Sequence, residues 1–99
     1  MAPFLHILHM DCENENCRAR VMLIDDDREN LESLSWALKV DGFSVSGFHN
    51  PIKALEHFKK GSVDIVITDY KLPGLNGIEL LKAMKQIKFG VQVIINCNN

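Results

Sequence analysis

Between Val21 and Ile95 the chain alternates short apolar runs with amphipathic segments, and this alternation limits the folds that it can adopt. The run VMLI is short and continuously apolar, which is typical of a strand buried on both faces. The segments between the runs repeat their apolar residues at helical spacing. We therefore predict the order βαβαβαβ, which forms a parallel sheet with right-handed crossovers and helices on both faces.

Local signals give the bounds of these elements. The predicted strands are 21–24, 43–48, 63–69 and 91–95. Asp27 and Asn50 are predicted N-caps, Pro51 occupies the first position of the second helix, and Gly42 and Gly61 end the first two helices. The predicted buried stripes of the three helices are Leu31, Leu34, Ala37 and Leu38; Ile52, Leu55 and Phe58; and Ile78, Leu81, Met84 and Ile87.

The composition is that of one soluble globular domain. The 99 residues are 46% hydrophobic and 24% charged, with a formal net charge of −2. No basic excess favours nucleic acid or a membrane as a partner, because non-specific phosphate binding needs clustered Lys and Arg. Cys12, Cys17 and Cys97 are an odd number without a regular framework, and no secretory signal is evident. We therefore predict a reducing, cytoplasmic location.

Residues 1–20 are predicted to be a disordered N-terminal extension or an appended remnant. The opening MAPFLHILHM is too short to span a bilayer and lacks a basic leader. His6, His9, Cys12 and Cys17 are residue types that bind zinc, but they lack the usual paired spacing on a hairpin or helix. A polar leader without metal is the preferred interpretation.

Acidic residues follow the first and third predicted strands. Asp25 and Asp26 come directly after VMLI, and Asp69 ends VDIVITD. In a parallel sheet, ligands gather at the carboxyl ends of the strands. If these strands are neighbours, the three carboxylates converge, and a Mg²⁺ ion would relieve their repulsion. A carboxylate beside Mg²⁺ can act as a nucleophile towards phosphorus. The alternative is that each acid is a helix cap or a solvated loop residue, as Asp27 is predicted to be.

The stretches VMLIDDD and IVITDYKLPGLNGIELL resemble the receiver domain of two-component response regulators. The resemblance covers Val21 to about Ile95. It implies an α/β, three-layer flavodoxin-like (CheY-like) parallel sheet with strand order 2-1-3-4. It also implies that residues 21–99 form a partial receiver, without the family's fifth strand and last two helices.

The resemblance assigns a role to each acid. Asp69 matches the phosphorylated aspartate. Asp26 and Asp69 would ligate Mg²⁺ directly, Asp25 would act through water, and the backbone carbonyl of Lys71 would add a further ligand.

The loop and the fourth strand also have counterparts in the family. Pro73 would shape the loop, and Gly77 would permit a close approach at the start of the third helix. Cys97 stands where the family has a Ser or Thr that hydrogen-bonds the phosphoryl group, and a thiol is a weaker donor. The family's lysine at the end of the fifth strand has no counterpart.

The implied function is that of a phosphoacceptor that receives a phosphoryl group from a sensor histidine kinase and assists this transfer without being an enzyme. The alternative is a degenerate or truncated receiver that acts as an assembly or protein-interaction module. A third interpretation is a haloacid-dehalogenase-like phosphatase, because Asp25 and Asp27 also fit the opening hhhhDxD of that family. That interpretation leaves Asp69 unexplained. Without a helix covering the third and fourth strands, the chain is expected to form a homo-oligomer.

Overall fold

The computed structural model describes residues 19–96. These residues form strands and helices in strict alternation, as predicted. The elements are β1 (Arg20–Ile24), α1 (Arg28–Val40), β2 (Ser44–Phe48), α2 (Pro51–Lys60), β3 (Ile65–Asp69), α3 (Gly77–Ile87) and β4 (Gln92–Asn96). The leader with its four candidate zinc ligands, and Cys97, lie outside the described residues.

The strands form one parallel sheet in the order β2-β1-β3-β4, which confirms the predicted topology. β1 and β3 are neighbours, with Ile24 opposite Thr68 at their carboxyl ends. The residues that follow β1 and the last residue of β3 therefore meet at the same edge of the sheet.

The predicted helix starts are confirmed by hydrogen bonds. One carboxylate oxygen of Asp27 accepts hydrogen bonds from the backbone N–H groups of Glu29 (3.0 Å) and Asn30 (3.3 Å). The side chain of Asn50 caps α2 in the same way, and Pro51 is the first residue of that helix. Each cap pairs backbone donors that the helix itself leaves without partners.

The larger core lies between the sheet and the pair α2 and α3. Met22, Val66, Ala54, Leu80 and Met84 are among its fully buried members. Side chains alternate along β1 and β3, so this face carries the even-numbered residues of both strands.

Two predicted stripes are wrong in part. Ile52 is 54% exposed, Ile78 is 39% exposed and Ile87 is 43% exposed, whereas Ala54 and Leu80 are completely buried. α2 and α3 therefore turn Ala54 and Leu80, rather than Ile52 and Ile78, towards the larger core. A search for large apolar side chains misses Ala54. Its short side chain allows the helix to lie close to the sheet.

The smaller core lies on the other face, where α1 packs against the sheet. It contains Val21, Leu23, Leu38 and Phe43. The predicted stripe of α1 is correct at Leu38 and half-buried Leu31, but Ala37 and Leu34 are exposed. On the same face Ile94 of β4 is 41% exposed. Among residues 19–96, α1 is the helix that packs on this face, and it does not cover β4.

The helices between residues 19 and 96 are all too short or too polar to cross a lipid bilayer.

Candidate metal and phosphoryl site

Three carboxylates meet at the carboxyl edge of the sheet. Asp25 and Asp26 follow β1, and Asp69 is the last residue of β3. One carboxylate oxygen from each of the three lies within 4.8 Å of the others. Asp25 and Asp69 are half-buried, and Asp26 is exposed. The sequence placed these acids at strand ends, and the adjacency of β1 and β3 brings them together.

The backbone around β1 orients Asp25. Its N–H donates to the carbonyl of Phe48 at 3.0 Å, which extends the pairing with β2 beyond the end of β1. Its carboxylate accepts a hydrogen bond from the N–H of Asp27 at 2.9 Å. Asp27 itself caps α1, so it is a structural cap, as predicted, and lies outside the cluster of three oxygens.

The backbone on either side of Asp69 is also held in place. The N–H of Tyr70 donates to the carbonyl of Asn96 at 2.9 Å, and the N–H of Gly77 donates to the carbonyl of Tyr70 at 2.7 Å. The buried hydroxyl of Thr68 donates to the carbonyl of Asp69 at 3.1 Å. These bonds limit the backbone movement of the residue that carries the central carboxylate.

Gly77 makes the close approach that its position in the sequence predicts. A Cβ on Gly77 would lie 2.9 Å from the backbone oxygen of Asp69 and 3.1 Å from the Cα of Tyr70. Real Cβ atoms do not approach a backbone so closely, so α3 can start against β3 because residue 77 is glycine. A capping box between Asn76 and Glu79 fixes the same end of α3.

The loop between β3 and α3 contains the other predicted residues. Lys71 and Pro73 are exposed in it, and Gly74 adopts a positive φ of 81°. A positive φ strongly favours glycine, which explains why residue 74 is Gly. The roles of the Lys71 carbonyl as a ligand and of Pro73 in shaping the loop remain predictions.

A shallow cleft beside the acids contains polar residues that the sequence pattern did not single out. Asn30, Thr68 and Asn96 line it together with Asp25 and Asp69. The signal for Asn96 was its position after the apolar run of β4, at the same sheet edge as the acids. Thr68 had no such signal, because a Thr inside a strand is ordinary.

The electrostatics of the cluster favour a cation. Burial raises the pKa of Asp69, and the negative charges of Asp25 and Asp26 raise it further. The side-chain charges that shift this pKa are all negative. Convergent hard oxygen ligands with excess negative charge are the donor set that Mg²⁺ prefers, so the residues present fit this ion.

Asp64 lies at the amino ends of the strands, directly before β3, and its pKa shifts in the opposite direction. Burial alone would raise the pKa of Asp64, but hydrogen bonds and the charge of Arg20, together with the charge of Lys88, lower it below its usual value. The Nε atom of Arg20 lies 3.2 Å from a carboxylate oxygen of Asp64. Asp64 therefore provides a matched control for Asp69.

Asp69→Asn is expected to stabilise the fold at neutral pH when a chelator removes divalent ions. Because the pKa of Asp69 is raised on folding, the folded state binds more protons than the unfolded state, and ionisation of Asp69 reduces stability. The variant should have a higher free energy of unfolding than the parent once the pH rises above about 3.9, the ordinary pKa of an aspartate, and this difference should vanish below that pH. Urea unfolding over a pH series measures this difference.

Asp64→Asn is the control with the opposite sign. Its lowered pKa means that the carboxylate stabilises the fold above the unfolded-state pKa, and that this contribution is lost as pH falls through the folded-state value. The variant should be slightly less stable than the parent at neutral pH, because the pair with Arg20 is largely exposed. If the free energy of unfolding depended on pH in the same way for Asp69→Asn and the parent, folding would not raise the pKa of Asp69.

Comparison with known proteins agrees with this geometry. The family model for the response regulator receiver domain matches residues 21–98. A homologue of the transcriptional regulatory protein CpxR from Haemophilus influenzae is 38% identical over 69 residues, which are 70% of this chain and 30% of that protein. Sporulation initiation phosphotransferase F of Bacillus subtilis is 33% identical over 76 residues, which are 77% of this chain and 61% of that protein. The chain therefore spans less than two thirds of the length of these curated relatives.

Solved structures show the same fold. A receiver domain protein from Clostridium thermocellum has a TM-score of 0.75 and 34% identity, with coverage of 78% of this chain and 63% of that one. TrrA from Thermotoga maritima, solved in complex with Mg²⁺ and BeF, has a TM-score of 0.74 and 28% identity, with coverage of 78% and 67%. The match to the family model covers most of the chain and includes the acids after β1 and at the end of β3. The chain belongs to the family of response regulator receiver domains.

Proposed function

We propose that this chain is a phosphoacceptor, which receives a phosphoryl group on the carboxylate of Asp69. The observation that supports this most strongly is the convergence of Asp25, Asp26 and Asp69 within 4.8 Å at one sheet edge. A structural pair of acids would need a basic partner, whereas the charges that act on Asp69 are negative. Family membership supports the same role.

Mg²⁺ is the proposed cofactor. Asp26 and Asp69 would hold it directly, Asp25 would act through a water molecule, and the backbone carbonyl of Lys71 would complete the protein ligands. When bound, the ion would neutralise charge on the transferring phosphoryl group. The complex of TrrA with Mg²⁺ and BeF supports the proposal by analogy.

The chain's own residues would position the nucleophile. One carboxylate oxygen of Asp69 attacks phosphorus, an O–P bond forms, and the P–N bond of a phosphorylated histidine breaks. The electron pair of that bond leaves with the imidazole, and the product is an acyl phosphate. Thr68, Tyr70 and Gly77 restrain the backbone on both sides of Asp69 during this step.

A sensor histidine kinase is the proposed phosphodonor. A solved structure of the histidine kinase ThkA in complex with TrrA contains a chain that resembles this one, with a TM-score of 0.73 and 28% identity. The role is that of a signalling phosphoacceptor that assists its own modification rather than an enzyme with turnover. A cytoplasmic location fits this role.

Incubation with acetyl phosphate and Mg²⁺ is expected to add one phosphoryl group to the chain. Asp69→Asn should abolish the addition, because the amide is not a comparable nucleophile. Intact-mass spectrometry measures the added mass, and a chelator should prevent it. Asp64→Asn is the matched control. It removes an acid at the amino ends of the strands, away from the three carboxylates, and should label like the parent.

Labelling of Asp69→Asn at the same rate as the parent would place the acceptor elsewhere. No labelling of the parent at any Mg²⁺ concentration would overturn the phosphoacceptor proposal and favour the alternative, a receiver fold that acts as a protein-interaction module.

A further inference from the structure

Asn96 lies directly beside Asp69 in the sheet. β3 and β4 are parallel neighbours, and their register pairs Asp69 with Asn96. The N–H of Tyr70 donates to the carbonyl of Asn96 at 2.9 Å, which holds this register at the carboxyl edge. Neighbouring strands of a sheet lie about 4.8 Å apart, so the backbones of the two residues are separated by one strand spacing.

The side chains of Asp69 and Asn96 project from the same face of the sheet. Residues in register on adjacent strands point the same way, and successive residues of one strand point to opposite faces. Cγ2 of Ile95 lies 3.3 Å from the position that a Cβ of Gly77 would take, so Ile95 faces α3. Asn96 therefore faces the other side, where it lines the cleft beside the acids together with Asp25 and Asp69.

A phosphoryl group in this cleft needs hydrogen-bond donors that add no negative charge. The side-chain charges that act on Asp69 are already negative, and the phosphoryl group brings negative charge of its own. Ionised carboxylates such as those of Asp25 and Asp26 accept hydrogen bonds and donate none. The amide of an asparagine has two N–H donors and no charge, so Asn96 can bind a phosphoryl oxygen without increasing the repulsion.

The other polar side chains of the cleft are less suited to this role. The buried hydroxyl of Thr68 donates to the backbone carbonyl of Asp69 at 3.1 Å. Asn30 belongs to the first turn of α1, and strand pairing does not hold it beside Asp69. Among the residues that line this cleft, Asn96 is the amide that the sheet itself places next to the acceptor.

We propose that the side-chain amide of Asn96 donates a hydrogen bond to an oxygen of the phosphoryl group on Asp69. This inference rests on the phosphoacceptor role proposed above and adds a residue to that site. No proton is transferred in the contact. The bond stabilises negative charge on the phosphoryl oxygens during the transfer and in the acyl phosphate. Because the acids are the side chains proposed to hold Mg²⁺, loss of this amide should affect the phosphoryl group and not the ion.

Calorimetric titration of the full chain with beryllium fluoride, a phosphoryl mimic, at saturating Mg²⁺ tests the inference. Asn96→Leu removes the donor at a similar side-chain size. It should weaken beryllium fluoride binding about tenfold, the effect of losing one hydrogen bond to a charged group. Its affinity for Mg²⁺ alone should equal that of the parent. Asn96→Ser keeps a shorter donor and should bind with an affinity between those of Asn96→Leu and the parent.

Gln92→Leu is the matched control on the same strand. Gln92 is an exposed amide at the start of β4, whereas Asn96 is the last residue of that strand. The same change at residue 92 should leave beryllium fluoride binding as in the parent. The rate of labelling by acetyl phosphate gives a second readout, in which Asn96→Leu should be about tenfold slower than the parent. If Asn96→Leu does not fold, Asn96→Ala also lacks the donor and takes its place.

The outcomes separate this inference from the function on which it rests. A parent that neither binds beryllium fluoride nor becomes labelled would overturn the proposed function, and the role of Asn96 with it. A parent that does both, beside an Asn96→Leu variant with the same affinity and labelling rate, would overturn the role of Asn96 alone. An equal loss of affinity for Mg²⁺ and for beryllium fluoride in Asn96→Leu would also overturn it, because the amide would then act on the ion.

Discussion

Leu80→Ala is expected to lower the free energy of unfolding by about 2–5 kcal/mol. Leu80 is completely buried in the larger core, between α3 and the sheet. Truncation removes apolar contacts and leaves a cavity that the surrounding side chains fill only in part. Urea unfolding followed by circular dichroism measures the change.

Ile78→Ala is the matched control on the same helix. Ile78 is 39% exposed, so its truncation should cost well under half of the loss at Leu80. If Leu80→Ala does not fold, Leu80→Val should give a smaller loss of the same sign. A loss at Ile78 as large as the loss at Leu80 would contradict the burial of Leu80 and the exposure of Ile78 in the structure.

Gly77→Ala is expected to destabilise the fold by about 1–3 kcal/mol and to slow the labelling of Asp69. The new Cβ would lie 2.9 Å from the backbone oxygen of Asp69 and 3.3 Å from Cγ2 of Ile95. A side chain could rotate away, but the backbone of β3 can move only by shifting the strand end that carries the carboxylate. This cost should exceed the gain in helix propensity, which is below about 1 kcal/mol because Gly77 is the first residue of α3. Urea unfolding and intact-mass labelling measure the two effects.

Gly90→Ala is the control for the glycine substitution itself. Apart from its own chain neighbours, no atom lies within 4 Å of a Cβ at that position, so the variant should unfold and label like the parent. A Gly77→Ala variant with the stability and labelling rate of the parent would show that α3 does not press against the end of β3.

The element order and the helix starts were predictable because their causes are local. Asp27 and Asn50 cap the N–H groups two and three residues ahead, so their effect needs no tertiary contact. The strand ends moved by a residue or two, with β3 starting at Ile65 and β4 running from Gln92. Strand bounds depend on pairing with neighbours, which local composition does not specify.

The buried faces of the helices were harder to predict. Spacing selected Ile52 and Ile78 because large apolar residues usually face the core, yet both are exposed. Ala54 and Leu80 are buried instead, because they lie on the row that the helix presents to the sheet.

Local sequence was sufficient to place Asp25, Asp26 and Asp69 at the ends of strands, since the apolar runs stop there. The tertiary structure decided that these acids form one site. Only the adjacency of β1 and β3, with Gly77 allowing α3 to start against the end of β3, brings oxygens that are distant in sequence within 4.8 Å. Burial and mutual repulsion raise the pKa of Asp69 as a result, and both arise from proximity in space rather than from neighbours along the chain.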